Sequence, residues 1–293
     1  MSDPVSFSFT RGQHARGLAL MLFSTACFTT NVLLIRALGE LQSVNVWLVS
    51  CARFLVGILV LATVYRREVQ FARVFTRAKL AGRGVVGGLG VGVFYLTVVH
   101  IGAGRATFIN NTYIIFGALL AVWILHEPFR RPLAIGSVGA LLGLALLTNS
   151  FARGATIGVF DVVAIGGAIA SAYVIVTIRL LHAEGEHTAT IFAAQCVYGL
   201  LLCAIPAGMS WAPVTGVSWT LMVLAGLCAA GGQLAMTRAF RDLPVAEGSL
   251  LQMLVPLGIA VGGYLFFGEH FTPHELAGAA LILAGTIFTV AKR

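Results

Sequence analysis

The chain has 293 residues, 58% of them hydrophobic and only 10% charged, with a mean hydropathy of +0.93. A soluble domain carries about 25% charged residues, so this chain lacks the polar surface to cover a globule in water. The charge of +8 and the pI near 9.7 would suit a nucleic-acid partner, but the cations cluster at the ends of apolar runs, where a membrane protein puts them.

Residues Met1 to Arg16 are polar, and the apolar run that follows has the look of a signal peptide, with Ser24-Thr25-Ala26-Cys27 resembling a lipoprotein cleavage site. The run continues to Leu38, long enough to span, and has a counterpart in the second half, so it reads as a retained first helix. Ten segments fit the spanning criterion of about 20 apolar residues. In the first half they are Gly17–Leu38, Val44–Tyr65, Leu80–Ile101, Arg105–Leu125 and Pro132–Asn149. In the second they are Val159–Leu180, Thr188–Pro206, Gly216–Arg238, Val245–Phe267 and Pro273–Ala291. The longest connection, Arg66 to Lys79, alternates apolar and basic residues and predicts a short interfacial helix. The apolar runs are continuous, which excludes a β-barrel. Cys27, Cys51, Cys196, Cys203 and Cys228 lie in these runs without metal-ligand spacing and read as small buried hydrophobes.

Orientation follows from the cations. With the N-terminus in the cytoplasm, the inside collects Arg11, Arg16, Arg66, Arg67, Arg73, Arg77, Lys79, Arg83, Arg130, Arg131, Arg179, Arg238, Arg241, Lys292 and Arg293. Arg36, Arg105 and Arg153 fall outside, and Arg53 lies within a span. Both termini are therefore expected in the cytoplasm of a multi-pass inner-membrane protein.

The fourth span holds a polar knot, Asn110-Asn111-Thr112-Tyr113, and closes on His126-Glu127-Pro128. The layout returns near the C-terminus, and setting Glu127 on Glu269 fixes an offset of 142 residues. That offset puts Asn110 on Gln252, Asn31 on Tyr173, Arg53 on Gln195, Tyr95 on Thr237, Gly136 on Gly278 and Gly143 on Gly285; Arg36 and Arg179 match after a one-residue slip. The chain is thus predicted to be all-α, ten transmembrane helices in two five-helix repeats, residues 1–150 and 151–293. Because five is odd, the second repeat enters the membrane from the opposite side. Inverted repeats of this kind serve alternating access, with the substrate near midplane between them.

Cys51-Ala52-Arg53-Phe54 resembles the helix-two signature of EamA-type carriers of the drug/metabolite transporter superfamily. Leu243 to Ala246, Val255-Pro256-Leu257, Phe267-Gly268-Glu269 and Gly278-Ala279-Ala280 resemble that family's ninth and tenth helices. The first repeat departs from the pattern, with Ile114 in place of the proline and His126 in place of the glycine before glutamate. The resemblance spans nearly the whole chain, and its overall look is closest to bacterial amino-acid exporters of the YddG type. It implies a secondary carrier, and a monomer without cofactor, exporting neutral or aromatic amino acids or related small metabolites.

The candidate cavity residues are Asn110, Asn111, Gln252, Tyr95, Tyr113, Asn31, Tyr173, Gln195 and Gln233. A buried amide either lines a cavity or ties helices together for about 0.6–2 kcal/mol. Pro256, four residues after Gln252, is expected to leave the Gln252 carbonyl free for water or substrate. Arg53 either binds a substrate carboxylate or ties helix ends; Glu127 and Glu269 are gate latches, proton carriers or helix caps. Tyr198 and His100 are weighed as packing and interface residues, and Trp47, Trp211 and Trp219 as an outer aromatic belt. Gly84, Gly88 and Gly92, with Gly258 and Gly262, read as close helix–helix seams. An intramembrane enzyme finds no HExxH, GxSxG or paired aspartates, a retinal receptor no lysine inside a span, and a primary pump no P-loop. No acidic residue sits at mid-span, so facilitated diffusion competes with proton coupling as the energy source.

Overall fold

A computed structural model describes residues 10–128, 131–150, 157–209 and 213–291. In chain order the helices are α1 (Arg11–Leu41), α2 (Val46–Val64), α3 (Phe71–Thr76), α4 (Ala78–Ile101), α5 (Ala103–Asn111), α6 (Tyr113–Ile124) and α7 (Arg131–Leu147). They continue with α8 (Val159–Ala183), α9 (Thr188–Met209), α10 (Gly216–Asp242), α11 (Val245–Leu251), α12 (Leu254–Phe267) and α13 (Pro273–Ala291). Among the described residues eight segments are long and apolar enough to cross a membrane, counting Ala103–Ile124 and Val245–Phe267 as single spans, and α7 is a shorter apolar helix. The chain is a multi-pass membrane protein, and the predicted interfacial stretch contains α3. Of the residues singled out above, Trp211, Arg130, Arg153, Lys292 and Arg293 lie outside the described residues, as does the side chain of Tyr95.

Local chemistry sets the helix ends. Thr10 and Gln13 form a reciprocal capping box at the start of α1, and Asn45 caps α2 by accepting from the Trp47 N–H at 2.8 Å. Helices α6 and α12 end alike. His126 (φ 54°) and Gly268 (φ 65°) are both left-handed, and each is followed by a glutamate whose N–H reaches back six residues, Glu127 to Ala121 O and Glu269 to Gly263 O, both at 3.1 Å. This turn normally takes glycine at the left-handed position. It aims each glutamate back toward the bundle.

The polar knot breaks its span. Between α5 and α6 the ladder tightens to i→i−3 bonds, Thr112 N to Ile109 O at 3.1 Å and Ile115 N to Thr112 O at 3.0 Å. The later span breaks the same way between α11 and α12, with Met253 N bonded to Leu250 O and Val255 N to Gln252 O, both at 3.0 Å. The expectation of a free carbonyl at Gln252 is therefore corrected. Pro256 removes the usual donor, and the tightened turn brings in the Val255 N–H instead.

Packing closes the spans into a ring. Its order is α1, α10, α2, α9, α4, α8, α5 with α6, α11 with α12, and back to α1. Helices α7 and α13 pair with each other and pack from outside on α5 and α11. Where they cross, an added β-carbon on Gly143 would stand 2.6 Å from the Gly278 carbonyl oxygen, and one on Gly136 2.7 Å from that of Gly285. The sequence's glycine seams are real contacts. Gly84 and Gly88 lie against Ala194 and Gly199 of α9, and Gly258 and Gly262 against Thr29 and Leu33 of α1.

The two ends of the ring differ. One end gathers the N-termini of α1, α4, α9 and α11 with the C-termini of α2, α8 and α10, and most of the cations; we term it the basic end. There the packing is tight. Ala189 through Cys196 of α9 are buried without interruption, and so is every residue of α11. Helices α8 and α10 touch across the ring, where His182 Nε2 lies 2.9 Å from the Thr237 carbonyl oxygen. Toward the opposite end α9 loses cover, with Ile205 71% and Met209 84% exposed. The ring is packed shut at the basic end, the closed end; the opposite end, more loosely covered, is called the open end below.

Candidate functional site

The break in α11/α12 positions Gln252 against α1, where its amide nitrogen donates to Ser24 Oγ at 3.2 Å and contacts Met21 Sδ at 2.8 Å. Asn110, at the same register of the other broken span, is half-buried in the last turn of α5. Asn111 turns back to its own helix, donating to the Thr107 carbonyl at 2.8 Å. Asn31 ties α1 to α10 by donating to the Ala225 carbonyl at 2.8 Å. That is an interhelical bond of the kind considered above for buried amides, here at a residue expected in the cavity. Gln195 is buried on α9 and accepts from Arg83 Nη1 at 2.9 Å, and Gln233 is buried on α10.

The tyrosines separate. Tyr113 is buried in the core beside the first break, whereas Tyr173 is 38% exposed, with its hydroxyl close to Gly82 of α4. Arg53 is half-buried on α2, its guanidinium 6.0 Å from the Phe28 ring centroid on α1. Since α10 stands between α1 and α2 in the ring, this contact reaches past α10 from α2 to α1. Pro256 sits in the first turn of α12, just past the break.

Glu127 and Glu269 both carry ion pairs. Arg179 of α8 lies 3.1 Å from Glu127, is 1% exposed, and also donates to the Leu243 carbonyl; Glu127 in turn accepts from the Val245 N–H at 3.1 Å. This cluster joins α6, α8 and the α10–α11 turn at the closed end. Arg36 of α1 meets Glu269 at 2.5 Å at the open end, with both side chains about one-third exposed. A second pair of bonds ties the far ends of the same helices: His14 to Glu247 at 2.7 Å, and Arg105 to Asp161 at 2.7 Å. Each broken span is thus fastened at both ends to one partner helix, α11/α12 to α1 and α5/α6 to α8.

Arg83 was counted from sequence among the cations of the inner side. It is fully buried. The sequence signal was its neighbour: Gly84 opens the glycine seam, and close approach of α9 there seals the side chain in.

The EamA-like transporter family's sequence profile matches twice, over residues 15–149 and again over 159–291. The pseudopaline exporter CntI of Pseudomonas aeruginosa, in strains UCBPP-PA14 and PAO1, is 26% identical over 209 residues, covering 70% of this chain and 72% of the relative. A crystal structure of a protein 17% identical superposes with a TM-score of 0.77, over 95% of this chain and 97% of that one, and so shares the fold. The curated relatives are pseudopaline exporters, where the overall look of the sequence had suggested amino-acid exporters of the YddG type. With both parts matched, the chain belongs to the EamA-like transporter family, a membrane transporter of small metabolites.

Proposed function

We propose that the chain is a secondary carrier of the bacterial inner membrane that exports amino acids or related small polar metabolites by alternating access. The observation that carries this reading is the ring packed shut at its basic end, with a broken span on each side of it. With the basic end placed in the cytoplasm by its cations, this state is closed to the cytoplasm and reads as outward-facing.

Two inverted repeats, residues 1–150 and 151–293, supply ten spans and exchange roles between states. Several observations support that. The family profile matches each part separately. The left-handed caps recur at an offset of 142, and the helix breaks fall within two residues of it. The α7–α13 contact joins Gly136 to Gly285 and Gly143 to Gly278, and the same offset turns each contact into the other, as a two-fold axis through the crossing requires. The ring contacts α1–α10 and α8–α4 are likewise exchanged.

The test is flux in proteoliposomes over a panel of radiolabelled amino acids and small carboxylates, without ATP and with or without a pH gradient. Saturable flux for at least one member is expected, unchanged by collapsing the pH gradient. Asn110→Ala and Gln252→Ala each lower it while leaving expression intact. Absence of saturable flux for every member would refute the carrier reading.

A further inference from the structure

Two arginines are deeply buried in this protein, and their surroundings differ. Arg179 has a carboxylate, Glu127, at 3.1 Å and a backbone carbonyl beside it. Arg83, 0% exposed, makes one hydrogen bond, to the neutral Gln195; its Nε and Nη2 are buried without a hydrogen-bond partner among the described residues. The carboxylates of its own neighbourhood are engaged elsewhere, Glu184 and Glu186 by Arg73, Arg77 and Lys79. A guanidinium has five N–H donors and does not lose its charge. Sealing one from water with only a neutral partner costs several kcal/mol. A side chain so placed either weakens the fold for nothing or holds a ligand in another state.

A second cation faces the same region. Arg53, on α2, also has no carboxylate within ion-pair distance among the described residues, and the buried Cys196, next to Gln195 on α9, packs against Gly57, one turn along α2 from Arg53. The 142-residue offset carries Arg83 onto Ala225 and Arg53 onto Gln195, so neither cation recurs in the other repeat. The lumen has amides on both sides and positive charge on one.

We propose that Arg83 and Gln195, with Arg53 above them, form an anion subsite, and that the exported metabolite carries more carboxylate than amine groups. This rests on the carrier reading and narrows its substrate class. Opening the basic end uncovers Arg83 to the cytoplasm. There its free Nε and Nη2 bind one carboxylate side by side, the geometry guanidinium offers, while Gln195 holds the group in place. Arg53 takes over as the anion moves toward the open end. The arginines return empty, so each cycle carries net negative charge outward. The cell's inside-negative potential then drives export without a proton carrier, with about 50-fold accumulation per charge at 100 mV.

The purified protein is tested by thermal melting with succinate, L-glutamate, L-phenylalanine and L-lysine, and by flux of the same four probes in proteoliposomes under a potassium diffusion potential. Succinate or L-glutamate is expected to raise the melting temperature saturably and to move faster when the basic side is negative, with L-lysine inert in both. Arg83→Gln is expected to weaken the anion response at least tenfold, and Arg83→Lys to restore part of it. Ligand-free Arg83→Gln is expected to melt at or above wild type, because an unpaired buried charge has gone; a purely structural arginine would give the opposite. Gln195→Leu serves as the second variant and weakens the anion response with Arg83 retained. Flux of L-phenylalanine or L-lysine with no anion transported would overturn the proposal and leave the carrier reading standing, as would an anion response unchanged in Arg83→Gln. No flux of any probe would count against both.

Discussion

Replacing Glu127 by Gln keeps the shape of the latch at the closed end and removes its charge. Arg179, 1% exposed, then keeps the Leu243 carbonyl but loses its counter-ion. Removing one partner of a buried pair costs about 3–5 kcal/mol. The cost falls on the state in which Arg179 is buried, and opening the basic end relieves it by wetting the guanidinium. The equilibrium therefore shifts toward the state open at the basic end by roughly 100- to 4,000-fold, at about 1.4 kcal/mol per tenfold. Glu269→Gln is the matched control: both groups of its pair are about one-third exposed, and such a pair contributes about 0–1 kcal/mol. Thr237→Cys, at the buried contact of α10 with His182 of α8, reports opening in a cysteine-free background. Its labelling by an impermeant thiol reagent from the basic side is expected to accelerate at least 100-fold with Glu127→Gln and less than about fivefold with Glu269→Gln. Equal rates in the two variants would refute the reasoning, because the difference in burial would then carry no energetic weight.

Other outcomes follow from the packing. Gly143→Val is expected to cost about 1–3 kcal/mol by overpacking the α7–α13 crossing, whereas Gly139→Val, whose new side chain meets open space, stays within about 0.5 kcal/mol; thermal melting in detergent distinguishes them. His126→Gly relieves a left-handed non-glycine residue and is expected to stabilise by up to about 1 kcal/mol, read as a higher melting temperature. Asn31→Leu loses its bond to Ala225 and is expected to cost about 0.6–2 kcal/mol in stability while the KM for the transported substrate stays at the wild-type value.

The helices were legible because lipid imposes one rule, a long apolar run, and the chain obeys it almost everywhere. The glycine seams were legible for a related reason: small residues at four-residue spacing have no other common use in a membrane. The offset between Glu127 and Glu269 was legible too, and it led to the matching helix breaks. What the sequence hid were partners. Nothing in the spacing of Glu127 and Arg179, on different helices, announces that they meet, nor that Asn31 is occupied by a backbone carbonyl from α10. The burial of Arg83 was hidden too, because position along the chain gives depth, whereas burial depends on which neighbour lies alongside.

The asymmetry between the two latches makes the other state predictable in atomic terms. At the closed end, Arg179 donates to the Leu243 carbonyl and Glu127 accepts from the Val245 N–H, residues on either side of Pro244 in the α10–α11 turn. Subtracting the 142-residue offset sends Leu243 and Val245 to Ile101 and Ala103, on either side of Gly102 in the α4–α5 turn. In the present state Gly102 and Ala103 are exposed, and the Arg36–Glu269 pair stands without them. Closing the outer end should therefore bring Arg36 to the Ile101 carbonyl and Glu269 to the Ala103 N–H. A double variant, Ala103→Cys with Glu269→Cys, is expected to form a disulfide under mild oxidation during turnover, to stop flux, and to recover with reductant. Glu127→Cys with Val245→Cys, adjacent at the closed end, is expected to cross-link whenever that end closes and to hold it shut although the Arg179 pair is lost. If the first pair never cross-links while the second does, the two ends do not exchange the same contacts, and alternation in this chain works by some movement other than exchange of the two repeats.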